Sequence, residues 1–292
     1  MDTRITCTPK RLPRADWEKS ADTAAAINPV NRAPVHRLMR IMPGFAPTKA
    51  HLSVLTTKYW GAKGVRLTVG FLDGAPPDLR KRILLHMNAW AKTANVTFVA
   101  SNTDPQVRIA RAPNDGYWSY LGTDILHIKR GEPTMNLESF TMSTPESEYK
   151  RVVRHETGHT LGFPHEHMRR QLVAEIDEAK AIAYFQRTQG WSADEVRFQV
   201  LTPLEDGSLI GTASADANSV MCYQIPGEIT KTGEPIVGGT DIDRWDFDFI
   251  SLIYPKLKTR PKVTKAKAAK KPAAKKTTAR GKAKGKTATS RR

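Results

Sequence analysis

His155-Glu156-Thr157-Gly158-His159-Thr160-Leu161-Gly162-Phe163-Pro164-His165 reads as H-E-x-x-H-x-x-G-x-x-H. At ordinary residue frequencies, five fixed positions at this spacing arise by chance in about one chain in 10⁵. A helix advances about 100° per residue, so His155 and His159 lie one turn apart with both imidazoles facing the same way. Glu156 sits about 100° round from His155, where it borders the same site and reaches a metal-bound water without being a ligand. If the helix simply continued, the next residue on that face would be 162, and that residue is glycine. Glycine readily takes the left-handed conformation that ends helices. Pro164 then hinders resumption, and His165 returns as a third nitrogen. Three neutral imidazoles plus water make the open tetrahedral arrangement of a catalytic zinc, whereas a structural zinc is closed by four protein ligands. The alternative is a polar helix with solvated histidines. Four of the eight histidines in the chain (His155, His159, His165, His167) fall within thirteen residues, and glycine stands where the geometry needs a break. Both facts favour the metal.

The 292 residues are enough for one large domain or two small ones. The net charge of +17 is unevenly placed, because residues 256–292 hold sixteen Lys/Arg and no Asp or Glu, leaving about +1 for residues 1–255. Two cysteines, Cys7 and Cys222, make no disulfide framework and suit a reducing compartment or a domain that needs no staples. No apolar run of signal-peptide length follows Met1, and no stretch approaches 18 apolar residues. The sequence therefore predicts no membrane span and a cytoplasmic location by default, with unconventional export left open.

Residues 1–50 mix charge, proline and alanine without clear period. Asn28-Pro29, Ala33-Pro34 and Met42-Pro43-Gly44 suggest irregular chain, and a leader, a pro-segment and a strap over the domain all remain open. Folded structure is expected from about residue 51 to 255. Val65, Leu67, Val69 and Phe71 alternate as a strand, and Pro76-Pro77-Asp78 opens a helix with Leu79, Ile83, Met87 and Trp90 on its apolar face. Short strands are expected at Val96–Val99, Val107–Ala110, Trp118–Leu121 and Ile125–Ile128. Thr144-Pro145-Glu146 should start the metal helix, with Thr144 as its cap. Further helices are predicted over Ala174–Gln186, after the capping box Ser192-Ala193-Asp194-Glu195, and over Asp243–Tyr254 with Phe249, Ile250 and Ile253 inward. Strand, helix and strands followed by a metal helix and a helix-rich C-terminal half indicate an α+β architecture.

The metal motif resembles that of the metzincin metalloproteases, and features beyond it resemble the astacin branch. Glu166-His167-Met168-Arg169 after the third histidine is similar to the H-E-H-x-R of astacins. Ser219-Val220-Met221-Cys222-Tyr223 is similar to their Met-turn, Trp118-Ser119-Tyr120-Leu121-Gly122 to their edge-strand region, and Thr240–Tyr254 to their closing helix. The likeness covers about residues 58–255. It departs at Tyr117 and Cys222, where a cysteine and a histidine are usual, at Gln171, where an aspartate is usual, and in lacking an F-x-G-D-like switch. The resemblance implies a zincin-like catalytic domain: a small twisted mixed sheet, an active-site helix and a helix-rich C-terminal subdomain. It also implies one Zn²⁺ held by His155, His159 and His165, with Glu156 as general base. Met221 would floor the site, supported by the break at Gly162, and Tyr223 would reach the metal and then stabilise the oxyanion. Cys222 is expected to be a small buried residue and Glu166 a surface or salt-bridging acid. The implied activity is hydrolysis of protein or peptide substrates by a zinc metalloendopeptidase, with substrate extended along residues 117–122.

A different reading makes residues 256–292 the functional part, in a nucleic-acid-associated protein whose peptidase-like domain only binds. Lys265-Ala266-Lys267-Ala268-Ala269-Lys270-Lys271-Pro272 is similar to the basic tails of linker histones. A chain this poor in apolar residues is expected to be disordered, and sixteen cations without aromatics should bind duplex through counterion release rather than stacking. DNA affinity of the full chain is then expected to fall steeply with salt and to vanish in a chain ending at Pro255; equal binding by both would exclude the tail.

Overall fold

The computed structural model describes residues 7, 10–41, 44, 55–166, 170–203, 216–222 and 224–256. His167, Tyr223 and the basic residues from Leu257 onward lie outside the described residues, and so does the order of the tail.

The alternation at residues 65–71 produces strand β1 (Val65–Phe71), with Val65, Leu67 and Val69 buried and Arg66 exposed. Helix α3 (Pro77–Met87) follows, and it buries Leu79, Ile83 and Met87, the expected face. It returns the chain to β2 (Val96–Ala100), parallel to β1. On the other side of β1 lies β3 (Val107–Ala110), also parallel, then β5 (Met135–Leu137), and finally β4 (Tyr117–Ser119), antiparallel to β5. The sheet order is thus β2-β1-β3-β5-β4, which leaves β4 as an edge strand.

The sequence reading needs correction in three places here. Residues Ile125–Ile128 are not a strand, because Gly122–His127 forms a 3-10 turn that begins with Gly122 at φ +47°. Ile125 is buried on the inward side of that turn and Leu126 is exposed. The fifth strand is instead Met135–Leu137. Upstream, Asn28-Pro29 and Ala33-Pro34 do not leave irregular chain: they follow α1 (Trp17–Ile27) and start a 3-10 turn and α2 (Ala33–Ile41), since proline fits the first turn of a helix. Met42-Pro43 lies outside the described residues.

The metal helix α4 spans 146–160 and includes a π-helical stretch, Tyr149–Val153, directly before the motif. Pro145 occupies its cap position without a side-chain bond, whereas the Thr144 hydroxyl accepts from the Thr141 N–H at 3.0 Å. Thr144 is therefore not the cap. Beyond the motif come α5 (Glu178–Gln189), capped by Asp177 and ended by left-handed Gly190, and α6 (Arg244–Ile253), opened by the Asp243/Asp246 capping box. The Ser192/Glu195 capping box forms as expected and starts a short helix. No helix among the described residues is long and apolar enough to cross a membrane.

Two apolar clusters flank the motif. One joins the sheet, α3, α4 and α6 through Leu67, Ile83, Trp90, Val153, Phe163 and Ile250. The other gathers the C-terminal half around Tyr184, Phe185, Val196, Ile225 and Ile236. Tyr254 locks the chain end beneath the motif. Its fully buried hydroxyl donates to the Leu161 carbonyl at 2.5 Å and accepts from the Trp60 N–H at 3.0 Å. Tyr254→Phe would leave both groups buried and unpaired, at about 1–3 kcal/mol each at most. We expect a fall in denaturant midpoint with an unchanged slope, whereas an unaltered midpoint would show that water replaces the hydroxyl.

Candidate active site

The motif helix ends as its glycine requires. Gly162 lies at φ +98°, its N–H bonds to the His159 carbonyl at 2.8 Å, and the Phe163 N–H reaches the Gly158 carbonyl at 3.0 Å. These two bonds form a Schellman motif, which turns the chain so that His165 comes back over the helix. The Trp60 indole N–H donates to the Thr160 carbonyl at 2.9 Å, covering another of the last helical acceptors.

Three imidazoles converge as a result. Nε2 of His165 lies 3.1 Å from Nε2 of His155 and 3.0 Å from Nε2 of His159. The far nitrogens are fixed by backbone carbonyls, His155 Nδ1–H donating to Val220 at 2.6 Å and His159 Nδ1–H to Phe163 at 2.8 Å. In that tautomer both Nε2 atoms carry bare lone pairs toward one point. Lone pairs that close repel one another unless a cation lies between them. Tetrahedral zinc with 2.0–2.1 Å bonds to nitrogen separates its nitrogen ligands by about 3.3 Å. The donor set therefore fits zinc in chemistry and spacing. Burial drives the His159 pKa down to about 4, only partly offset by its bond to the Phe163 carbonyl, so the ring stays neutral as a ligand must.

Glu156 lies beside the three rings and is buried, and neither carboxylate oxygen has a hydrogen-bonding partner at ordinary distance among the described residues. Burial raises its pKa to about 8, against smaller downward pulls from nearby Cys7 and Arg151. An acid so placed is costly for folding and useful to a reaction.

Met221 packs against the motif helix at Gly158: a Cβ there would stand 2.3 Å from the Met221 sulfur, so a larger residue would displace the methionine side chain. The Glu166 N–H bonds the Met221 carbonyl at 2.9 Å, and its carboxylate accepts from the Asp216 N–H at 3.2 Å. Glu166 is thus a strut between two loops, not a surface acid. Cys222 is buried in the C-terminal cluster, where burial pushes its thiol pKa well up.

Two site residues escaped the sequence reading. Asp246, within the expected last helix, is buried and accepts from the Ser219 hydroxyl at 2.6 Å, the Val220 N–H at 3.0 Å and the Asp243 N–H at 3.1 Å. It thereby holds the loop whose Val220 carbonyl orients His155. The aspartate at 246, three residues after Asp243, was a legible capping-box signal, but its reach to residue 219 was not. The other is Cys7, whose sulfur is 3.3 Å from His165 Nε2 and 3.5 Å from His159 Nε2. Cys7 and the three histidines form a buried metal-capable group with all donor atoms within 4.8 Å of one another.

A three-histidine centre on a helix broken by glycine, floored by methionine and set beneath a mixed sheet, defines a metzincin-type hydrolase site. The chain belongs to the astacin family of peptidases: residues 55–225 match the family model described as Astacin. It is similar to solved myroilysin structures at 31% identity. One has a TM-score of 0.64 and covers 68% of this chain and 97% of that one; another has a TM-score of 0.54, with 68% and 86% covered. A segment of 95 residues is 33% identical to zinc metalloproteinase nas-27 of Caenorhabditis elegans, covering 32% of this chain and only 20% of that relative's length.

Asp246→Ala would strand the Ser219 and Val220 donors and loosen the carbonyl that aims His155. Loss of such an outer partner commonly weakens a metal site by about 10–100-fold. We expect that loss in a competitive zinc titration, together with a stability decrease of about 2–4 kcal/mol; unchanged zinc affinity would detach Asp246 from the site.

Proposed function

We propose that the chain is a zinc metalloendopeptidase in which His155, His159 and His165 hold one Zn²⁺ and Glu156 is the general base. The observation that carries this is the convergence of the histidine Nε2 atoms next to the buried carboxylate of Glu156. Bound zinc supplies a Lewis acid for the scissile carbonyl and lowers the pKa of water to about 7.

The remaining work belongs to the side chains. Glu156 takes a proton from the attacking water and hands it to the leaving amine, and its burial makes it a stronger base than an exposed glutamate. An extended protein or peptide substrate would pair its backbone with edge strand β4, the side that Cys7 and Lys10 bridge in this structure. The Ser119 hydroxyl shares a 3.0 Å hydrogen bond with that of Thr160, which fixes the edge strand to the metal helix. By family resemblance, Tyr223 donates a hydrogen bond to the developing oxyanion, worth about 3 kcal/mol.

His159→Ala should lose zinc in a metal-content measurement, because two imidazoles hold it far less tightly. Glu156→Ala should keep the metal and lose proteolysis; an empty site, or near-normal turnover, would reverse the assignment. Tyr223→Phe should lower kcat by about 100-fold with little change in KM, as expected for a contact made in the transition state.

A further inference from the structure

The turn that leads into edge strand β4 is fixed from the neighbouring strand. Asn114 and Gly116 both lie at positive φ, +59° and +65°, and their N–H groups donate to the two carboxylate oxygens of Glu138 at 2.9 and 2.7 Å. Asn136 of β5 is fully buried; its amide donates to the Gly116 carbonyl at 2.6 Å and its oxygen accepts from the Ala112 N–H at 2.8 Å. Asp115, between the two left-handed residues, is thereby held beside β4. Its Oδ2 accepts from the Trp118 indole N–H at 2.9 Å, and the Tyr120 ring meets that indole in a T with centroids 5.9 Å apart.

An ammonium sits on this arrangement. Nζ of Lys10 lies 4.6 Å from the Trp118 ring centroid and 3.8 Å from Oδ1 of Asp115, the oxygen opposite the one that the indole holds. The ring face attracts a cation through its quadrupole, and the carboxylate adds a full opposite charge. The side chains of Lys10 and Asp115 keep 35% and 43% of their exposure, so the attraction is modest and weakened by salt. Lys10 reaches the pair from a backbone bridge to Tyr120, along the edge where an extended substrate would lie.

We propose that Asp115 and Trp118 form a substrate subsite that selects a basic side chain, lysine or arginine, in the peptide being cleaved. The inference rests on the peptidase reading above and adds a substrate class to it. Lys10 shows the ligand chemistry within the chain itself. Cys7 lies at the histidine centre and Lys10 three residues further on, about 10 Å of extended chain. The subsite therefore takes a side chain about two to four residues from the cleaved bond. Arginine suits it as well as lysine, because a planar guanidinium stacks on an indole face while pairing with a carboxylate. An acidic side chain there would meet Asp115, with Glu138 on the same turn, as like charge against like. An apolar one would use the ring and leave the carboxylate without a counter-charge.

The test digests a proteome-derived peptide library with the zinc-loaded full chain and reads the residues flanking each cut by mass spectrometry. Lysine and arginine are expected to be enriched at one position, about two to four residues from the cut and on one side of it only. Fluorogenic peptides that differ only at that position should give kcat/KM about tenfold higher for lysine than for alanine, with glutamate lowest. Asp115→Asn keeps an acceptor for the indole and should reduce the lysine-to-alanine ratio to about twofold, the share of the ring. Asp115→Lys should reverse the order, so that glutamate exceeds lysine, an inversion that a merely structural turn residue would not produce. Cleavage without a basic preference at any of these positions, or the same lysine preference in wild type and both variants, would overturn the subsite and leave the peptidase assignment intact. Cleavage of no peptide by the zinc-loaded chain would overturn both.

Discussion

Three imidazole lone pairs aimed at one point from about 3 Å apart are unfavourable by themselves, and much of the architecture serves to hold them there. Each of two rings is turned by a carbonyl, Val220 for His155 and Phe163 for His159, and each carbonyl belongs to a different part of the chain. Phe163 lies in the turn made by Gly162, so the glycine that ends the helix also supplies the group that sets the tautomer of His159. Val220 lies in the methionine loop, held by Asp246 from the last helix. Removing the cation would leave these restraints opposing one another. Metal binding and the packing of the two halves are therefore coupled through ring orientation.

The same economy appears at Gly158. The Met221 side chain lies against the helix where Gly158 presents no side chain, and Trp90 packs at the same glycine with its indole N–H donating to the Arg154 carbonyl at 2.9 Å. The helix is thus wedged between an aromatic from the end of α3 and a thioether from the C-terminal half. A polarisable sulfur that needs no hydrogen bond suits packing against the histidine-bearing helix.

Local patterns were readable where one short segment determined its own conformation. The strand at 65–71, the buried face of α3, the Ser192/Glu195 capping box and the helix break at Gly162 follow from neighbours within a few positions. The three-residue strand Met135–Leu137 is too short to show alternation, and its pairing with β3 and β4 comes from outside it. Residues 125–128 form a short, mostly apolar run that a strand and the buried side of a 3-10 turn can both accommodate, and the left-handed Gly122 decides for the turn. Of the site, the motif histidines and Glu156 are within eleven residues and were legible. Asp246 acts on residue 219, and Cys7 acts on residues 159 and 165, more than 150 positions away. No periodicity carries such information.

The two cysteines show why residue type alone said so little. Cys222 stands among Leu172, Tyr184 and Ile225, where burial, with the nearby carboxylates of Glu166 and Asp216, holds its proton firmly in place. Cys7 is equally buried, yet it faces three ring nitrogens whose arrangement calls for a positive charge at their centre. A thiolate there would be stabilised by the same cation that relieves the histidine lone pairs. Its place is set by strand pairing to the edge of the sheet, the surface an extended substrate would also need. The bridges Cys7–Tyr117 and Lys10–Tyr120 fix the position of that sulfur from the sheet edge, more than 150 residues away from the histidines it faces.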